Sequence, residues 1–416
     1  MPQARSLSRR QVIIFALITA ACVAGDSMLY VVLPVHWKSA GLSSLWEVGL
    51  LLSLNRLARL PLNPFAGWAF SKISTKTGAV LAGLLAVGTT LGYGLAEGLA
   101  AWAVLRVLWG LSWSFLKLGG LLTVMDVAGE NERGYLVGLY SGVYRLGSLA
   151  GMLGGGLLAD FFGLKATAFA CAALAVPGVL AAMLLLKRIP PERRNASGEQ
   201  KAEKVSVLSV LRSPALLWVL LACLMVKLLT EGFFMSTLSP LLEHHWGETI
   251  SCFGLALGCA TVSGFIQSLR WGWDPLLSPL VGHISDGRLG RVGMFAGGCW
   301  ACAGLLALTV LALPFWPWMG LLIGFLVCCT VMTTLSDALA TDVAADSQAV
   351  VVITAYTFAI DLGAALGPLG GFAAIEFWGM DTAYLLCAAL MALFALQWTF
   401  WPPVKSRARP RSPHKA

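Results

Sequence analysis

Charge is what this chain has least of. Asp, Glu, Lys and Arg together make up 12% of its 416 residues, where soluble domains carry about 25%, and a water-soluble multidomain protein is excluded on that ground. Histidine is scarce too, with five in the chain and none in mid-run at ligand spacing. HExxH, paired Cys/His ligands and a serine elbow are all missing. The sequence therefore points away from an enzyme, and no metal and no cofactor is expected. Ten cysteines occur, but mostly inside apolar runs (Cys171, Cys223, Cys302, Cys328, Cys329), where a thiol behaves as a small hydrophobe. Their spacing draws neither a zinc site nor an extracellular disulfide frame. Arg9-Arg10 ahead of Ala20-Ala21-Cys22 resembles a lipoprotein signal, but the apolar run continues to Leu33, so an uncleaved first helix is expected.

What the chain has is hydrocarbon. Hydrophobic residues make up 58% of it, and the mean hydropathy is +0.78. About twelve runs are long enough to cross a ~30 Å core, at roughly 11–33, 46–66, 78–96, 100–125, 136–159, 164–186, 214–236, 250–272, 292–313, 318–341, 349–374 and 382–402. The fold class expected is all-α integral membrane, twelve transmembrane helices in two six-helix bundles. Those bundles would be 1–187 and 214–403, joined by a polar linker at 188–213 and followed by a basic tail at 404–416.

The net charge of +8 does not point to nucleic acid, because the basic residues sort by side. With the N-terminus inside, twenty Lys/Arg fall in inner segments, Lys38 and Lys165 fall outside, and seven lie within spans. That bias places both termini in the cytoplasm of a multi-pass protein of a bacterial inner membrane. The basic tail offers contact to anionic lipid. Tryptophans near the run ends, among them Trp46, Trp68, Trp102, Trp316, Trp318, Trp398 and Trp401, read as interfacial belts. His244-His245 reads as outer-loop surface.

The halves repeat. Gly147, Gly151, Gly155, Phe161 and Gly163 recur 216 positions later as Gly363, Gly367, Gly371, Phe377 and Gly379, with Pro368 where the first copy has Met152. Gly at four-residue spacing bares one helix face for close packing, and such a repeat marks a transporter built from two related halves.

Ionisable groups inside the runs are the candidate functional residues, since each costs about 2.5–3.5 kcal/mol to insert. Asp26 stands in the first span, with Tyr30 one turn on. Arg56 and Arg59 share a face of the second span. Arg106, Trp109, Trp113 and Lys117 form one stripe in the fourth, read as the wall of a substrate cavity with Tyr140 and Tyr144 of the fifth. Lys227 and Glu231 form an i,i+4 pair in the seventh. Counted together, Arg56, Arg59, Arg106, Lys117, Arg145, Lys227 and Arg270 outnumber Asp26, Glu231, Asp274 and Asp361, which favours an anionic or zwitterionic small molecule.

Between the second and third runs stands Gly67-Trp-Ala-Phe-Ser71-Lys72, and 215 positions later Gly282-His-Ile-Ser-Asp286-Gly287-Arg288-Leu-Gly290-Arg291. The second copy resembles the loop motif of the major facilitator superfamily, whereas the first has Ser71 in place of the acid. Arg106-Val-Leu-Trp-Gly110 resembles the same family's fourth-helix motif. Gly147-x-x-x-Gly151-Met152-x-x-Gly155-Gly156 resembles the fifth-helix motif of its drug and metabolite:proton antiporters. The resemblance implies a secondary active transporter working by alternating access, most simply a monomer. It would be a proton-coupled exporter of a metabolite, siderophore-like chelator or drug, with Asp26 the main proton acceptor, tuned by Arg106, and Glu231, held by Lys227, the second. Uptake of a sugar or organic acid by proton symport is the alternative. The family's helix arrangement also leads to two expected gate pairs on the cytoplasmic side, Arg59–Asp361 and Arg145–Asp274.

Overall fold

A computed structural model describes residues 2–128, 132–188, 214–252, 254–287, 290–345 and 349–402. The expected linker, but for residue 188, the basic tail and Arg288 lie outside them. In order come α1 (Pro2–Ser27), α2 (Leu29–Val32), a 3-10 turn (Trp37–Ala40), α3 (Leu45–Phe70), α4 (Thr75–Tyr93), α5 (Leu99–Val127) and α6 (Arg133–Leu185). They are followed by α7 (Pro214–Lys227), a π-helical segment (Leu228–Phe234), α8 (Met235–Trp246), β1 (Thr249–Cys252) and β2 (Leu255–Gly258). The chain continues with α9 (Cys259–Ser285), α10 (Gly290–Leu308), α11 (Phe315–Ala345), α12 (Ala349–Trp378) and α13 (Met380–Phe400). Among the described residues eight helical segments are long and apolar enough to cross a membrane. This is an all-α multi-pass membrane protein. Helices α3, α4 and α9 fall outside the eight; α3 and α9 carry Asn55, Arg56, Arg59, Gln267, Arg270 and Asp274, which lower their hydropathy.

The segments divide into two compact units. One gathers Met1–Ala202, Phe234–Trp271 and Pro368–Ala373; the other holds Glu203–Phe233, Gly272–Gly367 and Ala374–Ala416. In the first, the heaviest packing is α1 on α6, and the glycine spacing is its cause. Gly147, Gly151 and Gly155 face Ala20, Ala24 and Met28, one residue per turn on both helices, so close that an added Cβ would meet the α1 backbone at Ala20 and Ala24. In the second unit Gly363 faces Leu224 and Gly367 faces Leu228 and Gly232. Pro368 groups with the first unit, where an added Cβ on Gly49 would lie 2.6 Å from its carbonyl.

Helix α6 holds two predicted spans and turns at Gly163, with φ 77° and ψ 174°. Its repeat partner Gly379 starts α13 with φ 84° and ψ 166°. Both occupy a region essentially open to glycine alone, which is why this glycine recurs.

Several expected boundaries move. The seventh span runs on through the π segment and Pro240 to Trp246, so His244 and His245 lie in its last helical turn, not in a loop. The expected start of the eighth span forms a short antiparallel hairpin pairing Thr249 with Gly258 and Cys252 with Leu255. Helix α9 begins only at Cys259 and continues through Pro275 and Pro279. A bundle tolerates such prolines because neighbouring groups re-satisfy the freed carbonyls, and Arg270 and Asp274 therefore sit mid-helix. Three tryptophans assigned to interfacial belts are interior. Trp102 donates to the Ala96 carbonyl at 3.1 Å, Trp318 donates to the Thr309 carbonyl at 2.8 Å, and Trp398 packs on Phe295 with ring centroids 4.8 Å apart. Trp46, Trp68, Trp316 and Trp401 remain exposed.

Candidate functional site

Asp26 lies at the end of α1, its side chain 8% exposed, in an ion pair with Arg106 of α5, whose side chain is fully buried. The guanidinium is held on other edges as well. Its Nε donates to the Leu51 carbonyl of α3 at 3.1 Å, and NH1 lies 3.5 Å from the Tyr93 hydroxyl of α4. Tyr93 is stacked on Trp102 at 5.0 Å. One guanidinium nitrogen, NH2, is buried with no hydrogen-bond partner among the described residues.

A second polar group reaches the same carboxylate. Asn55 of α3 donates from Nδ2 to Asp26 Oδ1 at 3.1 Å, and its side-chain oxygen Oδ1 accepts from Arg59 Nε and NH2 at 3.3 and 3.2 Å. Asn55 therefore joins the acid to a second guanidinium, which also lies over the Trp113 ring at 5.1 Å. Gly110, one turn beyond Arg106, makes this possible. A Cβ there would come within 2.9 Å of the Asn55 carbonyl, so only glycine lets α3 and α5 close up enough for Asn55 and Arg106 to share Asp26. Arg56 donates from Nε to the Tyr30 hydroxyl at 3.1 Å.

The expected cavity wall divides. Trp109, Trp113 and Tyr140 all lie in the packed interior with Phe15 and Phe70, and Tyr140 donates to the Leu116 carbonyl at 3.0 Å. Trp113 meets Tyr144 edge-on at 5.5 Å, and Lys117 is half-buried. Helical spacing put these residues on one stripe, but it did not say which part of the stripe other helices cover.

In the second unit Lys227 and Glu231 form an ion pair, Glu231 standing in the π segment. Such bulges are frequent at functional sites. Tyr356 of α12 donates to Asp337 of α11 at 2.6 Å, and Thr330 of α11 donates to Asp274 at 2.5 Å. Asp337 also lies inside a membrane span, an acid absent from the charges counted from the sequence. Of the residues named for the gate, Arg59 and Arg145 lie in the first unit and Asp274 and Asp361 in the second. Arg145 is 5.4 Å from the Trp271 ring centroid, and Asp361 is buried. In the second copy of the loop motif Arg291 bridges Asp286, at 2.8 Å, and Asp342, at 2.6 Å. In the first copy Lys72 lies over the Trp68 ring at 4.4 Å, and Ser71 donates to the Trp68 carbonyl. Among the described residues no group of three or more His, Cys, Asp or Glu could hold a metal ion.

Sequence reasoning passed over Asn55, Tyr93 and Asp337. Asn55 had a signal, an amide in mid-span one turn before Arg59. Tyr93, at a helix end, had none.

Known proteins carry the same plan. Residues 15–274 match the model of the Major Facilitator Superfamily. The chain is 25% identical to Multidrug resistance protein MdtG of Escherichia fergusonii over 93% of both chains. It is 26% identical to the protein of that name from Citrobacter koseri over 64% of each. Among solved structures, a bacterial homologue of the human lysosomal transporter Spinster superposes with a TM-score of 0.73 at 16% identity, covering 96% of this chain and 99% of that one. A POT family transporter in complex with 5-aminolevulinic acid gives 0.70 at 12% identity, covering 96% of each. A helical membrane fold, buried ion pairs inside its spans and a family match over more than half its length lead to one conclusion: this chain belongs to the Major Facilitator Superfamily and is a membrane transporter of small molecules, not an enzyme.

Proposed function

We propose that the protein is a proton-coupled exporter of small zwitterionic or anionic molecules, a drug or an acidic metabolite, in the bacterial inner membrane, with both termini cytoplasmic. The observation that carries this reading is Asp26, a nearly sealed carboxylate held by Arg106 and tied through Asn55 to Arg59. The carboxylate and the guanidinium hold each other by charge attraction. When a proton arrives, the ion pair loses its attraction, and Arg106 and the Asn55–Arg59 link are freed to rearrange. Proton binding is thereby coupled to the packing of α1, α3 and α5. The grouping of Arg56, Arg59 and Arg106 around Tyr30, Asn55 and Asp26 supports a substrate carrying negative charge. Export is supported by the glycine-rich fifth span and by the relatives named for multidrug resistance.

The test is flux in proteoliposomes under an imposed pH gradient. Wild type should move substrate against the proton flow, and Asp26→Asn should lose at least about tenfold of gradient-driven flux, a deficit of ~1.4 kcal/mol or more. Flux in the same direction as protons would indicate uptake by symport. Undiminished driven flux in Asp26→Asn would remove Asp26 from the mechanism.

A further inference from the structure

Asp337 is the intramembrane carboxylate that neither the repeat nor the ion pairs account for. It stands on α11, eight residues before that helix ends at Ala345, and Tyr356 stands seven residues after α12 begins at Ala349. With the cytoplasmic side assigned by the basic residues, both belong to the inner third of the membrane. The Tyr356 hydroxyl donates to Asp337 at 2.6 Å, and among the described residues no ion pair reaches Asp337. The groups around it come from three helices. Cys223 of α7 donates to the carbonyl of Ser336, the residue before Asp337, and both Lys227 and Asp337 lie in electrostatic range of that thiol. Glu231 and Asp337 both lie in electrostatic range of the Tyr356 hydroxyl. An anion in this position is stabilised by one phenol and a cation already engaged by Glu231. A bilayer interior makes such an anion costly, and protonation removes the cost.

We propose that Asp337, positioned by Tyr356, is a further proton-carrying carboxylate, which passes protons between the Glu231 region and the cytoplasm. Rotation of the Tyr356 hydroxyl lets it give its own proton to the Asp337 carboxylate while its oxygen takes another from the Glu231 side. One O–H bond breaks and one forms at the phenol, and no net charge remains there. Release to the cytoplasm returns Asp337 to the carboxylate. The assignment rests on the proton-coupled reading above.

Two measurements test it. Infrared difference spectra of reconstituted protein between acid and alkaline buffer need no substrate, and the protonated-carboxyl band should lose a component in Asp337→Asn. In Tyr356→Phe that component should persist at a shifted frequency, because the phenol hydrogen bond to the carboxyl group is gone. Gradient-driven flux of a fluorescent zwitterionic quinolone in Asp337→Asn should fall by at least about tenfold while its equilibrium exchange stays within about twofold of wild type. Retention of the full carboxyl band in Asp337→Asn, or equal loss of driven flux and exchange, overturns the assignment. Wild-type flux indifferent to the pH gradient overturns proton coupling itself, whereas a coupled wild type with an equally coupled Asp337→Asn overturns only the role of Asp337.

Discussion

Arg106 is held by three elements at once, and that makes it irreplaceable in a specific way. A lysine could keep the charge beside Asp26, but it has no second nitrogen placed to reach the Leu51 carbonyl, since a point charge does not mimic a guanidinium fork. Arg106→Ala should destabilise the protein by about 3–5 kcal/mol, because it leaves a buried carboxylate without its cation. Arg106→Lys should fold but lose most gradient-driven flux. Thermal melts in detergent combined with proteoliposome flux separate the two effects. A different titration is expected at His36, in the loop after α2. Burial holds its pKa below the ordinary 6.5 and the nearby Asp160 opposes that shift; its Nε2 has no hydrogen-bond partner among the described residues. Folded protein thus binds this proton less readily than the unfolded chain, so stability is full above the unfolded value and falls as the pH drops below about 6.5. Melting temperature should decline through that range in wild type and decline less in His36→Asn.

Among the helices, contact geometry ranks the glycines where composition cannot. Gly151 and Gly154 belong to the same repeated motif. The first lies against the Ala24 backbone, whereas nothing stands within 4 Å of a side chain added at the second. Gly151→Val should cost about 1–3 kcal/mol by overpacking, and Gly154→Val should leave yield and thermal stability near wild type. Equal tolerance at both positions would contradict the packing register. Gly163→Ala and Gly379→Ala should each cost about 1–3 kcal/mol for backbone reasons alone. The hairpin between α8 and α9 has a simpler origin: Gly254 takes φ 81° and breaks what looked like the start of a span. Its residues had passed for membrane helix because Ile250, Leu255 and Leu257 are as apolar as a helix needs. Periodicity does not separate short strands from helix ends.

For the chain as a whole, sidedness is the property most open to measurement. Reporter fusions at either terminus should be active only on the cytoplasmic side. A periplasmic C-terminus would overturn the sidedness assigned from the basic residues. Much of the architecture was legible in amino-acid order, including the long apolar runs, the buried acid in the first span and the arginine in the fourth. The count of spans carried less weight, because α3, α4 and α9 are helical yet fall short of the apolar character that marks the others.

Membrane class, helical secondary structure and most of the intramembrane charges followed from composition and order, though Asp337 did not. In hydrocarbon each backbone must satisfy its own polar groups, and local sequence suffices to say where that happens. Partnership did not follow. Arg106 finds Asp26 from 80 positions away, Asn55 links that pair to Arg59, and Tyr356 rather than a cation holds Asp337. Such choices depend on how closely whole helices approach, which a glycine permits but only packing in three dimensions selects.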